Sequence, residues 1–159
     1  MKKIVLTLFF LALPALAAEP APLAYPHGYR QWTHVKSMQI KSGHPLYHSF
    51  GGIHHVYANK KAMEGFKSGK FPNGATFVMD LMQVQEDGFS MSEGPRKLLA
   101  VMHKDRVKYA ETAGWAFEAF RGDSRKERMV GTAKNAAAEC LRCHAAQQKN
   151  DYVFSGFRK

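Results

Sequence analysis

Alternation between apolar and polar residues predicts strands in the middle of the chain. Apolar side chains recur at every second position in 75–84 and in 115–120, which is the period of a β-strand. The segment 53–58 follows a glycine pair and is also typical of a strand. The apolar run 98–102 fits a further strand or a short buried helix, because periodicity alone does not separate the two. We therefore expect a strand-rich body between residues 50 and 120.

Other stretches have the spacing of helices or the polarity of loops. Asn59 is suited to cap a helix that ends near Gly69, and apolar side chains three apart in 29–35 predict a short amphipathic helix. The alanine-rich stretch 132–148 contains no glycine or proline and predicts a longer helix. Residues 86–95 are mostly polar, and we expect them to form a loop.

The N-terminus has the pattern of a secretory signal peptide. Residues 1–17 combine a lysine pair, a short apolar run and a small-x-small cleavage site, with cleavage after Ala17 preferred and after Ala18 as the alternative. Residues 18–28 are rich in proline and alanine and are expected to be a mobile leader, followed by one domain, 29–159. No later stretch approaches the roughly 20 apolar residues of a membrane span. We expect an exported, soluble, periplasmic protein.

Charge adds little to this picture. The chain carries 23 basic and 13 acidic residues, a formal net charge of +10. Such a balance could attract nucleic acid, anionic lipid or an acidic redox partner. The basic residues are dispersed and no nucleic-acid motif accompanies them, so we interpret them as a solvated basic surface.

The strongest chemical signal is a C-x-x-C-H motif near the C-terminus, formed by Cys140, Cys143 and His144. This pattern is typical of covalent c-type haem attachment, with two thioethers and a histidine on the iron. A redox disulfide would need a βαβ context and a zinc site a second ligand pair, and the sequence indicates neither. His54 and His55 are neighbours on a predicted strand and point to opposite faces, so they form no chelating pair.

Almost nothing follows the motif, so any group on the other side of the haem must come from the upstream strands. Several short blocks also resemble the cytochrome P-460 superfamily over about residues 29 to 157. They are Tyr29-Arg30-Gln31-Trp32, Val56-Tyr57, Gly114-Trp115-Ala116-Phe117, the motif with its preceding Ala138-Glu139, and Asp151-Tyr152-Val153-Phe154. The resemblance implies an α+β fold: an antiparallel β-sheet with flanking helices, a C-terminal helix carrying the haem attachment motif, and a homodimer.

The resemblance also implies a choice between two branches. The enzymatic branch oxidises hydroxylamine or nitric oxide and has a lysine cross-linked to the haem and a distal carboxylate. The other branch, cytochrome c′-beta, lacks the cross-link and binds nitric oxide or carbon monoxide in a pocket capped by phenylalanines. In this chain Met79 stands at the matched lysine position, and the matched carboxylate position falls at about Ala100, within the apolar run. These residues favour the gas-binding branch.

We therefore predict a periplasmic protein with one covalent haem c, His144 as proximal iron ligand, and Phe50, Phe77 and Met79 in a hydrophobic distal pocket. It would bind nitric oxide or carbon monoxide reversibly, as a homodimer with a possible periplasmic redox partner and without nucleic acid. One alternative is an enzyme that oxidises hydroxylamine or nitric oxide. The other is an electron-transfer cytochrome in which Met79 or Met102 ligates the iron, since a thioether is a known haem ligand.

Overall fold

Five strands form one antiparallel sheet, in the order in which they occur along the chain. The structure, a computed structural model, describes residues 21–158, and the predicted signal peptide lies outside the described residues. The strands are β1 (Thr33–Ile40), β2 (Gly52–Ala58), β3 (Thr76–Asp87), β4 (Ser90–Lys104) and β5 (Trp115–Arg121). The predicted α+β fold is confirmed, and the ambiguous run 98–102 belongs to β4.

The register of the strands gives the sheet two distinct faces, because paired residues of antiparallel strands point to the same side. On one side Phe77 lies between Ala58 of β2 and Met102 of β4, and this side packs against the helices. We call it the helix face. On the other side Val78 lies beside Val101 of β4 and packs against the N-terminal residues. We call this side the N-terminal face.

In residues 21–158 two α-helices precede the C-terminal helix, α1 (Tyr47–Phe50) and α2 (Lys60–Ser68), and there are single 3₁₀ turns at Tyr29–Gln31 and Ala110–Thr112. As predicted, the Asn59 side chain caps α2, and the helix ends at Gly69, whose φ of 71° is the left-handed conformation that glycine adopts easily. A Cβ atom on Gly65 would lie 2.1 Å from the Phe71 ring. Glycine at this position therefore allows α2 to pack closely against the aromatic core of the helix face.

Two of the predicted elements are wrong. In 29–35 only Tyr29–Gln31 is helical, as a single 3₁₀ turn, because β1 already begins at Thr33 and pairs with β2. The polar segment 86–95 is not a loop, since β3 and β4 continue through it and are joined by a tight turn at Gly88. In both segments, cross-strand hydrogen bonds override the local pattern of polarity.

N-terminal residues cover part of the N-terminal face. Leu23 and Tyr25 pack against its apolar cluster, with the Tyr25 ring centroid 5.1 Å from that of Phe120. The packed part of the chain thus begins before the predicted start near residue 29. None of the helices in residues 21–158 is long and apolar enough to cross a membrane.

A buried polar cluster lies on this same face. Asp80 is 1% exposed and accepts hydrogen bonds from the Tyr29 hydroxyl and from Arg96. Burial alone would raise the pKa of Asp80, but the hydrogen bonds from Arg96 and Tyr29 outweigh it and lower that pKa. Asp80 is therefore a paired carboxylate that ties the N-terminal segment to β3 and β4.

Candidate functional site

The C-terminal helix carries all three residues of the C-x-x-C-H motif. It consists of an α-helical start (Ala133–Asn135), a π-helix (Ala136–Leu141), an α-helical turn (Arg142–His144) and a 3₁₀ end (Ala145–Asn150). The predicted helix is thus present, although it is not a regular α-helix. The wider π turn contains Cys140, and such turns occur frequently at functional sites.

The two cysteines of the motif have different surroundings. Cys140 is half-buried and packs against the apolar cluster of the helix face, whereas Cys143 is exposed. Burial raises the pKa of Cys140 to about 11, so its thiol is protonated near neutral pH. The helix therefore presents one sulfur toward the core and one toward solvent, within a single turn of each other.

His144 is held in one orientation by a backbone carbonyl and two aromatic rings. Its Nδ1 lies 2.7 Å from the carbonyl oxygen of Tyr152, which only accepts, so Nδ1 carries the proton and donates it. Its ring centroid lies 5.0 Å from that of Phe117 and 5.1 Å from that of Phe154. Burial lowers the pKa of His144, which keeps the imidazole neutral. The lone pair of Nε2 is therefore available to a metal ion.

A row of apolar residues crosses the helix face near this histidine and remains partly exposed. From β2 to β5 the row consists of Val56, Met79, Ala100 and Ala119. We call these four residues the open row. The adjacent row is closed, since Phe77 is 5% exposed and Met102 is 7% exposed. Phe117, which contacts His144, is the neighbour of Ala119 on the same side of β5. The open row thus lies next to the motif.

The residues predicted for the distal pocket occupy different parts of this face. Met79 lies in the open row, directly paired with Ala100, so the two positions matched to the lysine and carboxylate of the enzymatic branch are cross-strand neighbours. Phe77 lies in the closed row, with its ring centroid 5.2 Å from that of Phe71. Phe50 is half-buried at the end of α1. The roles of these side chains toward a haem remain predictions.

The sequence alone assigns no role in the site to one further residue of this face. His54 is 3% exposed, its Nδ1 lies 3.3 Å from the Met79 Sδ, and its Nε2 lies 2.6 Å from the carbonyl oxygen of Phe50. The carbonyl requires a proton on Nε2, and burial lowers the pKa of His54, so Nδ1 carries a lone pair. His54 therefore donates to the carbonyl of the predicted cap residue Phe50, and the other side of its ring contacts Met79.

These residues fit a covalently attached haem. Cys140 and Cys143 would hold its vinyl groups as thioethers, and His144 would ligate the iron through Nε2. The partly exposed apolar side chains of the open row offer the kind of surface that a flat apolar group covers. When bound, haem c supplies an iron centre that can exchange an electron or take a small ligand. The site is that of a c-type haem protein.

Comparison with known families agrees with this geometry. The family model described as Cytochrome P460 matches residues 26–155, which is most of the chain. The chain belongs to the cytochrome P460 family, as the sequence blocks predicted, and haem c is the cofactor of that family. A search of curated proteins finds no match.

Proposed function

We propose that this protein binds nitric oxide or carbon monoxide in a hydrophobic pocket beside its haem. The observation that carries the proposal is the composition of the open row, in which Met79 pairs with Ala100. No amine or carboxylate stands at these two positions, to which the cross-linking lysine and, within one or two residues, the catalytic carboxylate of the enzymatic branch are matched. The chain therefore lacks, at these positions, the groups on which the oxidation of hydroxylamine depends.

The chemistry of the open row also favours uncharged ligands. Valine, methionine and alanine side chains offer no strong hydrogen-bond donor. Transfer of a polar molecule from water to such a surface costs free energy, because no hydrogen bond replaces those it made with water. Diatomic gases have little hydration to lose. An apolar wall thus selects nitric oxide or carbon monoxide over anions and polar substrates.

Absorption spectra of the purified protein test this proposal. We expect a five-coordinate, high-spin haem in the ferrous state and reversible spectral changes on addition of either gas. A six-coordinate, low-spin spectrum that Met79→Leu or Met102→Leu abolishes would instead favour an electron-transfer cytochrome. Of these two methionines, Met79 is the better candidate for an iron ligand, because it lies in the open row whereas Met102 is buried in the closed row.

Gas-binding kinetics test the phenylalanine cap. We expect Phe50→Ala to accelerate the association of both gases, because a smaller side chain obstructs the pocket less. For Phe77 the substitution by leucine is preferable, since alanine would leave a cavity among the rings of Phe66 and Phe71. Val107→Ala, at an exposed position outside this face, is the control. Unchanged kinetics in both the Phe50 and Phe77 variants would contradict the cap.

A second candidate function has one observation in its favour. His54 offers a neutral base whose Nδ1 lies 3.3 Å from the Sδ of Met79, the residue that pairs with the matched carboxylate position Ala100. If the protein oxidises hydroxylamine with a chemical electron acceptor, His54→Leu should abolish that turnover and leave carbon monoxide binding intact. An absence of turnover in the unmodified protein would exclude this candidate.

Export to the periplasm and assembly as a homodimer belong to the same proposal. Proteins of the cytochrome P460 family are typically exported, which agrees with the signal-peptide pattern of residues 1–17. N-terminal sequencing of the protein recovered from a periplasmic fraction tests the expected cleavage after Ala17, with Ala18 as the alternative. The basic surface would favour an acidic redox partner, and an ionic-strength dependence of electron-transfer rates would support such a partner.

A further inference from the structure

The chain immediately after the C-terminal helix adopts a conformation that needs support. Asp151 and Tyr152 both have positive φ, 51° and 67°, which is the left-handed region. This region is disfavoured for residues with a bulky side chain such as tyrosine. Two consecutive residues of this kind persist only where surrounding contacts hold them. The segment is also the one whose carbonyl contacts His144.

Three separate elements hold Asp151. The Lys104 Nζ at the end of β4 lies 2.7 Å from its Oδ1, and the backbone N–H of Phe71 donates to its Oδ2 at 2.9 Å. The indole Nε1–H of Trp115 donates to its carbonyl oxygen at 2.9 Å. Both the side chain and the backbone of Asp151 are thus fixed from β4, from β5 and from the segment before β3.

The ion pair in this arrangement is buried. Lys104 is 1% exposed, and its Nζ also lies 4.6 Å from the centre of the Trp115 ring and donates to the carbonyl oxygen of Ala113. Burial lowers the pKa of Lys104, although the contact with Asp151 opposes that shift. A buried ion pair is often no more stabilising than well-packed apolar side chains. Fold stability alone therefore does not explain this pair.

The next residues transmit this constraint to the proximal ligand. The carbonyl of Tyr152 accepts the hydrogen bond from Nδ1 of His144 at 2.7 Å. Val153 is buried in the core, with 5% of its surface exposed. The Phe154 and His144 rings pack edge-on, with their centroids 5.1 Å apart. A hydrogen bond at the second ring nitrogen orients a ligating histidine and strengthens its donation to the metal.

We propose that Lys104 and Asp151 are positioning residues for the proximal ligand. They fix the left-handed pair at 151–152, and so they place the Tyr152 carbonyl that sets the tautomer and the electron donation of His144. Family membership shows the haem cofactor that His144 would ligate, so this role of Lys104 and Asp151 does not depend on the proposed gas binding. It assigns a role to two residues that lie 47 positions apart and that do not themselves contact the haem ligand.

The test neutralises both members of the pair at once, in the protein with its haem attached. Lys104→Met with Asp151→Asn leaves the net charge near the site unchanged, so a direct electrostatic effect on the iron is small. We expect weaker donation by His144 to favour the ferrous state about tenfold, which for one electron raises the midpoint potential by about 59 mV. The iron–histidine stretching frequency of the ferrous protein, measured by resonance Raman spectroscopy, should fall.

A matched control is available on the opposite face of the sheet. Arg96→Met with Asp80→Asn neutralises another buried pair, which does not contact residues 151–154. This variant should lower the melting temperature and leave both the potential and the stretching frequency unchanged. If the Lys104 and Asp151 double variant behaves in the same way, the pair is merely structural and the proposal is wrong.

A milder variant decides the matter if the double variant does not fold. Trp115→Phe removes the indole N–H that donates to the Asp151 carbonyl, while it keeps an aromatic ring beside Lys104 and leaves the ion pair of Lys104 with Asp151 in place. It should shift the potential and the stretching frequency in the same direction by a smaller amount, and an unchanged potential would overturn the proposal. Both readouts are taken without added gas, so a failure of the protein to bind nitric oxide would not affect them.

Discussion

At the scale of single residues, the burial of Cys140 controls how its thiol reacts before the haem is attached. A pKa of about 11 in place of the ordinary 9.0 means about a hundredfold less thiolate at neutral pH. Only the thiolate is nucleophilic. In reduced, haem-free protein we therefore expect Cys140 to be alkylated much more slowly than the exposed Cys143.

Single variants separate the two reaction rates. Cys143→Ser leaves Cys140 to react with iodoacetamide, Cys140→Ser leaves Cys143, and mass spectrometry measures the rate of each. In urea the rates should converge, because unfolding removes the burial on which the difference depends. Equal rates in the native protein would contradict the prediction.

Tyr29 makes the stability of the fold depend on pH in the alkaline range. Burial, together with the hydrogen bond to Asp80, raises the pKa of Tyr29 from 10.0 to about 12. The unfolded chain therefore loses this proton at lower pH than the folded chain. The stabilisation that the protonated Tyr29 hydroxyl contributes to the fold is fully present below pH 10.0 and is lost as the pH rises through about 12. The loss amounts to at most about 3 kcal/mol.

Urea unfolding at several pH values checks this effect. The free energy of unfolding should fall more steeply between pH 10 and 12 in the unmodified protein than in Tyr29→Phe. Tyr57→Phe is the control, because Tyr57 packs against Tyr29 but has no hydrogen bond to Asp80. A parallel fall in all three proteins would show that Tyr29 is not the responsible group.

The sequence reveals some of these residues and conceals others for physical reasons. Cys140, Cys143 and His144 are recognisable because covalent haem attachment demands a fixed local spacing. His54 is not, since its contacts with Met79 and Phe50 depend on burial and on pairing between strands. Lys104 resembles any other charged residue until the fold places Asp151 beside it.

At the scale of elements, Asn59 joins α2 to the sheet. Its side-chain Oδ1 accepts from the backbone N–H groups of Ala62 and Thr76 at 2.9 and 3.1 Å. Its Nδ2 donates to the carbonyl of Gly74 at 2.9 Å. A cap of this kind contributes about 1 kcal/mol, and each buried group left without a partner adds a cost of similar size.

Asn59→Ala should therefore lower the free energy of unfolding by about 2 kcal/mol, as measured by urea denaturation followed by circular dichroism. Asn59→Ser keeps an acceptor for the helix N-terminus but is too short to reach Gly74, so its stability should lie between those of Asn59→Ala and the unmodified protein. If Asn59→Ala is as stable as the unmodified protein, the residue does not tie the two elements together.

Local signals account for the elements that the sequence predicts correctly. The cap at Asn59 and the period of two in β5 are properties of neighbouring residues, and both segments have the expected structure. The extension of β3 and β4 through residues 86–95 depends instead on hydrogen bonds between the two strands, which a polar sequence does not display. The π-helix around Cys140 lies against β5, whereas its alanine-rich sequence alone predicts a regular α-helix.

At the scale of the whole molecule, the hairpin of β3 and β4 extends beyond the rest of the sheet. Pairing of β2 with β3 ends at Met82, and pairing of β4 with β5 begins at Leu98. We call residues 83–94 the arm. A two-stranded ribbon alone is only marginally stable in water, and the arm exposes the apolar side chains of Phe89 and Met91. It therefore has the properties of a segment that another surface covers.

The charge of the arm indicates a second copy of this basic chain as that surface. The arm contains Glu86, Asp87 and Glu93 and no lysine or arginine, whereas the chain as a whole has a net charge of +10. Glu93 lies 2.8 Å from His55 of its own chain, so Glu86 and Asp87 supply the charge that would face a partner. In a twofold dimer each arm would contact the basic surface of its partner, so the contact would be formed twice. We propose that the expected homodimer forms in this way.

Phe89→Ser combined with Met91→Ser should then shift the protein toward monomer in analytical ultracentrifugation, because the apolar contact at both arms is lost. Raising the salt concentration should weaken the unmodified dimer as well, since it screens the attraction between the acidic arm and the basic surface. Val107→Ser is the matched control, because Val107 is 86% exposed but lies outside the arm. A double variant that remains as dimeric as the unmodified protein would place the interface elsewhere and would contradict this role of the arm.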